Sequence, residues 1–281
     1  MNRHPLSLRS LLISLPVVAM AAWWAAGRQG PVPNDADDPS PIRAGYAVIT
    51  PSGGAGLVVF ETFGQRRGNE TVQAGVLPAN LTKRALVFVN TSGRLSRNLG
   101  VAVSNPGSAA AHLELTLRDE EGKVVATATS EVAARNQIAL FVTELFAAHN
   151  LVSRDLTGTL EIVSDVPVAA VALRFRGLNF SALPVTSLSE ASPVPEISPG
   201  VGGPGAIILP HFATGGGWAT EIVIANPGAA EASGRVDLFA RDGSPLTAVL
   251  NGRSGSTFDF KIPAGGIFTL APRNRWGDSD F

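Results

Sequence analysis

The sequence predicts an all-β chain built of antiparallel β-sandwiches, with one short helix near residues 143–149. Three observations carry that expectation. Beyond residue 44, apolar residues alternate with polar or small ones at period two. The alternating runs are each four to eight residues long, and turn signals such as Asn-Pro-Gly and Glu-Glu-Gly separate them. Successive side chains of a strand point to opposite faces, so short alternating runs at regular spacing read as half-buried strands. A stretch of the chain also matches a later stretch of itself without a gap, which points to a tandem arrangement.

Composition bounds the function classes. Of 281 residues, 45% are apolar and 16% charged, which leaves ample material for a core and excludes a charged, disordered polymer. The 22 basic and 23 acidic residues nearly cancel, so no electrostatic footprint for nucleic acid is present and no nucleic-acid partner is expected. The absence of cysteine excludes disulfides, thiolate zinc sites and a cysteine nucleophile.

From the N-terminus, Arg3, His4 and Arg9 precede an apolar run from Leu11 to Ala26, broken only by Ser14 and Pro16. Ala19-Met20-Ala21 suits cleavage after Ala21, so residues 1–27 read as a signal peptide. An uncleaved anchor is the alternative, with Trp23, Trp24 and Arg28 at its border. Membrane contact is expected only through this segment, if uncleaved. Either reading places the remainder outside the cytoplasm, in an extracellular, periplasmic or cell-envelope location. Residues 28–43 hold four prolines and no apolar periodicity, and read as a flexible linker. Asp35, Asp37 and Asp38 lack the further oxygens and the glycine turn of a calcium loop.

In the body, Leu99, Val101 and Val103 alternate with Gly100, Ala102 and Ser104, and Leu113, Leu115 and Leu117 with His112, Glu114 and Thr116. Leu160 and Ile162 continue the pattern, and Val168 to Leu173 forms a continuous apolar run. The helix is Thr143 to His149, with Thr143 as its expected N-cap.

Residues 85–124 align on 206–245 at an offset of 121, placing Asn105-Pro106-Gly107 on Asn226-Pro227-Gly228 and Gly122 on Gly243, with about one residue in five identical. A second match, at offset 113, places Gly45 to Ile49 on Gly158 to Ile162, Leu57 to Phe60 on Ala170 to Leu173, and Gly64 on Gly177. The expected domains are a sandwich over 44–188 with extra N-terminal strands, a Pro/Gly linker over 189–205 with four residues of each type, and a shorter sandwich over 206–281. The arrangement leaves a tail half at the N-terminus and a front half at the C-terminus without complements. They can pair within the chain, or head to tail between chains by strand donation. The preferred reading is that the front half closes alone while the N-terminal strands pack on the central module.

The phrases Gly45 to Pro51, Asn105-Pro106-Gly107, Gly158 to Ile162, Pro167 to Arg174 and Leu183-Pro184-Val185 resemble a bacterial extracellular β-sandwich repeat module. Leu209 to Ala213 with Gly217-Trp218, ahead of Asn226-Pro227, resembles a variant of it. The resemblance implies tandem Ig-like sandwiches in a secreted protein, with no assigned activity and no catalytic residues to carry over.

A search for chemistry returns turns. Gly200 to Gly205 satisfies G-x-G-x-x-G, but it precedes a strand rather than a helix, so no cofactor is expected. Gly252-Arg253-Ser254-Gly255-Ser256 falls short of a nucleophile elbow and reads as a hairpin loop. Asp119-Glu120-Glu121-Gly122 and Asp242-Gly243 read as hairpin tips. No two of the histidines have metal-site spacing. Arg174 and Arg176 read as a solvated face. No catalytic or metal-binding residue is expected, and the candidates for ligand contact are His211 and Trp218. The expected function is that of a non-enzymatic structural or adhesive protein, acting through protein partners or self-association at strand edges. The alternative is a carbohydrate-binding module with a glycan partner, which would need Trp218 and Trp276 on one face although aromatics are only 6%.

Overall fold

The structure, a computed structural model, describes residues 45–49, 58–67, 70–149, 151, 155–188, 194–198, 201–203, 207, 209–215, 219–274 and 277. Residues 1–27, expected as a signal peptide, and 28–43, expected as a linker, lie outside the described residues. Among those residues no helix is long and apolar enough to cross a membrane.

The chain is all-β, and its strands pair antiparallel in the β1–β2, β4–β7, β4–β8, β13–β18 and β14–β17 ladders. Strands β1 (Glu61–Arg67) and β2 (Glu70–Val76) form a hairpin in register Arg67↔Glu70. The main sheet runs β10 (Val185–Ser187), β3 (Thr82–Thr91), β8 (Leu156–Arg176), β4 (Arg97–Asn105), β7 (Asn136–Phe141). Two further strands, β5 (Ala111–Asp119) and β6 (Val124–Val132), pair with each other, and β5 also pairs with β8. Strand β9 (Asn179–Leu183) returns along the end of β8. The 21-residue β8 therefore serves two partners. It meets β4 from Ala169 to Arg176, and Gly158 lets it pass hard against the Arg118 carbonyl of β5, where any Cβ would collide.

Leu113, Leu115 and Leu117 are buried while His112 and Glu114 are exposed, so β5 has the one-sided burial its alternation implies. Strand β4 departs from that pattern. Val101 and Val103 are buried, but so are Gly100 and Ala102 on its other face. The cause is β2, whose Val72 and Ala74 pack with Ala102, Phe141, Leu173 and Phe180 in a second apolar cluster. The N-terminal hairpin thus closes over the back of the main sheet.

The helix falls where expected, as α1 (Val142–Leu145) followed by a 3-10 turn at Ala147–His149. Its cap differs from expectation. Phe141, not Thr143, occupies the N-cap, and its N–H donates to Glu144 Oε2 at 2.8 Å. Thr143 Oγ1 instead accepts from Asn98 Nδ2 of β4 at 3.0 Å, because β7 runs into the helix without a break.

The C-terminal part contains three two-stranded ladders. They are β13 (Ile222–Ala225) with β18 (Ile267–Leu270), β14 (Ala232–Asp237) with β17 (Thr257–Ile262), and β15 (Ala248–Leu250) with β16 (Arg253–Gly255). Ile222, Leu238, Leu250, Phe258 and Leu270 form the core between them. The segment expected to be a plain linker carries a small ladder of β11 (Val194–Ser198) and β12 (Val201–Gly203), since extended Pro-flanked residues can still exchange backbone hydrogen bonds. Contacts divide the chain into two units. One comprises residues 1–115, 128–156 and 162–186; the other comprises 116–127, 157–161 and 187–281.

One constellation occurs twice. Asn105 Nδ2 donates to the carbonyls of Ala109 (2.7 Å), Val132 (3.0 Å) and Ala133 (3.3 Å), while its Oδ1 accepts from Gly107 N–H at 3.0 Å. Asn226 Nδ2 donates to Ala230 (2.7 Å), Ile262 (3.1 Å) and Pro263 (3.0 Å), and its Oδ1 accepts from Gly228 N–H at 3.0 Å. The ladders agree as well: Val101↔Leu140 and Ser104↔Gln137 in β4–β7, Ile222↔Leu270 and Ala225↔Ile267 in β13–β18.

The offset-113 match behaves differently. Residues 45–49 and 58–60 are not strands, although Gly158 to Ile162 and Ala170 to Leu173 lie within β8. Gly64 lies inside β1 opposite Gln73, whereas Gly177 follows β8 with φ +59°, so the equivalence expected between these two glycines fails. β1 continues to Arg67 before pairing back, which makes this hairpin longer than β8–β9.

Candidate interaction surface

The feature that stands out in the C-terminal module is a pair of strands with one neighbour each. Among the described residues β13 pairs with β18 alone and β14 with β17 alone. Their counterparts at offset 121, β4 and β5, have β8 as an additional partner. Burial follows the pairing. Ala102 and Val103 are buried in β4, but Val223 and Ile224 of β13 are only half-buried. Leu115 of β5 is buried, and Val236 of β14 is half-buried. Residues 209–212 are not a strand, whereas the matching residues 88–91 end β3, a ten-residue strand between β8 and β10. Ile207 and Leu209 are 78% and 56% exposed. A strand with a free row of backbone groups beside half-covered apolar side chains is a template for another strand.

His211 is exposed within this region. Trp218 and Trp276 lie outside the described residues. The Ala213–Thr220 connection is closed by the Thr220 hydroxyl, which accepts from Ala213 N–H at 3.0 Å and donates to its carbonyl at 2.9 Å.

The remaining sequence candidates resolve into turns. Val201–Gly203 is β12, so the G-x-G-x-x-G stretch includes a strand. Asn251 and Gly252 have φ of 47° and 74° between β15 and β16, the backbone of a tight Asn-Gly hairpin. Ser254 belongs to β16 of that hairpin. Gly122 and Gly243 both have φ of 81° at hairpin tips. Asp119 Oδ1 accepts from Lys123 N–H at 2.8 Å, and Asp242 Oδ1 from Ser244 N–H at 3.0 Å and Ser244 Oγ at 2.7 Å. Arg174 and Arg176 stand on β8 opposite Ser181 and Asn179 of β9.

A polar cluster not anticipated from the sequence surrounds His112. Its Nδ1 lies 2.8 Å from Asp165 Oδ2, its backbone N–H donates to Asp165 Oδ1 at 2.8 Å, and its Nε2 lies 3.7 Å from Glu131. The hydrogen bond and charge of Asp165 hold the His112 pKa above the ordinary histidine value, and the same contacts hold Asp165 below the usual carboxylate range. His112 and Asp165 are 53 residues apart, so only the outward phase of each strand was visible in the sequence. In the other unit, burial and the neighbouring Glu121 raise the Glu120 pKa, which Arg273 opposes. Among the described residues no group of three potential metal ligands converges.

No family model and no curated protein matches the chain. The crystal structure of Thermotoga maritima 1070 is similar to part of it, at 16% identity over 38% of this chain and 92% of that one, with a TM-score of 0.30. That likeness defines no family for the chain and carries no functional inference.

Proposed function

We propose that this is a secreted or cell-envelope, non-enzymatic structural or adhesive protein that acts through protein–protein contacts at strand edges, built from two Ig-like sandwich modules in tandem. The observation that carries the reading is the pair β13 and β14, each with one neighbour among the described residues, with Ile207 and Leu209 exposed ahead of them in the chain. Apolar residues exposed beside unsatisfied strand edges mark places where another chain adds a strand. The doubled asparagine constellation supports the tandem arrangement, and the apolar N-terminal run supports export.

The test is solution mass by light scattering over a concentration series of the chain. Mass is expected to grow with concentration and to change little with salt, because the contact surface is apolar backbone edge rather than charge. A constant monomer mass, with no partner protein captured, would remove the reading.

A further inference from the structure

We infer that the β5–β6 tip, residues 119–123, acts as a strap across the loop 263–267, so that the tip and the second asparagine constellation open and close together. The inference goes beyond the reading of the chain as one that acts through strand edges, and does not depend on it.

Tip and loop belong to one unit, that of residues 116–127, 157–161 and 187–281. The tip is shaped by its own bonds. Asp119 N–H donates to the Lys123 carbonyl at 3.0 Å, Gly122 N–H donates to the Asp119 carbonyl at 3.1 Å, and Arg118 Nη1 donates to the Gly122 carbonyl at 3.2 Å. The loop turns on the bond from Gly266 N–H to the Pro263 carbonyl at 3.0 Å. A single peptide group, between Gly266 and Ile267, joins the two. Its carbonyl accepts from Asn226 N–H at 2.9 Å, and its N–H donates to the Glu120 carbonyl at 2.9 Å. Because that group is planar, it cannot rotate away from Glu120 without also rotating away from Asn226. Asn226 in turn holds the Ile262 and Pro263 carbonyls through its side-chain amide, so the tip is tied to the whole constellation.

The approach is backbone on backbone, and glycines permit it. A Cβ on Gly122 would collide with the Ala264 carbonyl and the Gly265 and Gly266 backbone. One on Gly266 would lie 2.7 Å from the Glu120 carbonyl oxygen, and one on Gly265 3.1 Å from Arg118 Cδ. The matched parts elsewhere in the chain lack this fit. Where the second constellation has Gly265 and Gly266, the first has Arg135 and Asn136, both exposed. A Cβ on Gly243, the counterpart of Gly122, would meet nothing within 4 Å. The strap is therefore a feature of one tip and one loop, not of the repeat. Charge works against it. Partial burial of the Glu120 carboxylate, with Glu121, Asp119 and Glu221 nearby, raises its pKa, which Arg273 opposes. The Glu120 contribution is thus present below the unfolded carboxylate value and lost as pH rises through the raised one.

Amide hydrogen exchange of the full chain tests the strap, with rates corrected for intrinsic exchange. In wild type the Ile267 and Asn226 amides are expected to exchange slowly and together. Gly122→Ala should speed both by at least about tenfold, while Gly243→Ala, at the same φ of 81° but without the crowding, should speed them by less than about twofold. The amides of β4, in the other unit, should not follow. Glu120→Gln keeps the backbone and discards the charge, so it should slow Ile267 exchange at neutral pH by about threefold. Equal effects of Gly122→Ala and Gly243→Ala would overturn the inference. So would β4 amides that quicken as much as Ile267, because the loss would then be one of general stability. The remaining measurements do not need Gly122→Ala to fold: a wild-type Ile267 amide that exchanges like an exposed one, or faster exchange in Glu120→Gln, would equally overturn the strap.

Discussion

Asn105 commits both ends of its side-chain amide while almost fully buried, donating to three carbonyls and accepting one N–H. A buried acceptor or donor without a partner costs about 1–3 kcal/mol, and several are released at once when the amide is removed. Asn105→Ala is therefore expected to destabilise its module by about 2–4 kcal/mol, read as a drop in urea midpoint, with Asn226→Ala shifting in the same direction. Asn105→Asp keeps the acceptor for Gly107 N–H and loses the donors, so it should remain close to alanine. His112 gives a pH signature. Its folded pKa lies above the unfolded value, so its pairing with Asp165 is fully stabilising below about pH 6.5 and is lost as pH rises through the folded pKa. The Asp165 contribution has the opposite sense: it is present above the unfolded carboxylate value and lost as pH falls through the depressed one. The pair is strongest in the mildly acidic window between. An NMR titration should show the His112 pKa falling toward the ordinary value in Asp165→Asn; an unchanged titration would show that the 2.8 Å contact does not persist in solution. The asparagines were visible in the sequence as turn residues, because Asn-Pro-Gly is a local signal. Their bonds to residues 132–133 and 262–263 were not, because nothing local names a carbonyl about thirty residues away.

At the scale of elements, Gly122 and Gly243 occupy matched hairpin tips with the same φ of 81°, yet their surroundings differ. A Cβ on Gly243 would meet nothing within 4 Å, so Gly243→Ala carries only the backbone penalty, about 1 kcal/mol. A Cβ on Gly122 would run into the backbone of Ala264, Gly265 and Gly266, where the loop is held by the Ile267 N–H donating to the Glu120 carbonyl at 2.9 Å. Gly122→Ala should therefore cost at least about twice as much as Gly243→Ala in thermal or urea melts; equal costs would show that this contact is not made. The turn requirement of both glycines was legible, since acidic residues before Gly announce a tip. The crowding at one of them was not. Strand β4 carries the same lesson. Its alternation implied one buried face, and the second was buried by β2, a strand more than twenty residues away whose own short pattern gives no hint of where it docks.

For the whole molecule, which strands find partners decides more than the pattern of any single strand. Alternation, turn residues and the offset-121 match specified an all-β chain with antiparallel strands, and the structure has them. The offset-113 match was equally visible, but its two members adopt different states. Residues 158–162 and 170–173 are strand because β4 and β5 satisfy their backbone, while residues 45–49 and 58–60, which pair with no strand among the described residues, are not. A strand is stable only when its hydrogen-bonding partners are present, and that requirement is not a property of the segment. Likewise residues 209–212 match the end of β3 in sequence but have no flanking strand among the described residues. The sequence by itself determined which residues alternate, where the chain turns, and that charge and cysteine chemistry play little part. Only the tertiary structure decided which alternating segments become strands, which faces are covered and which edge stays open, because these depend on contacts between residues far apart in the chain.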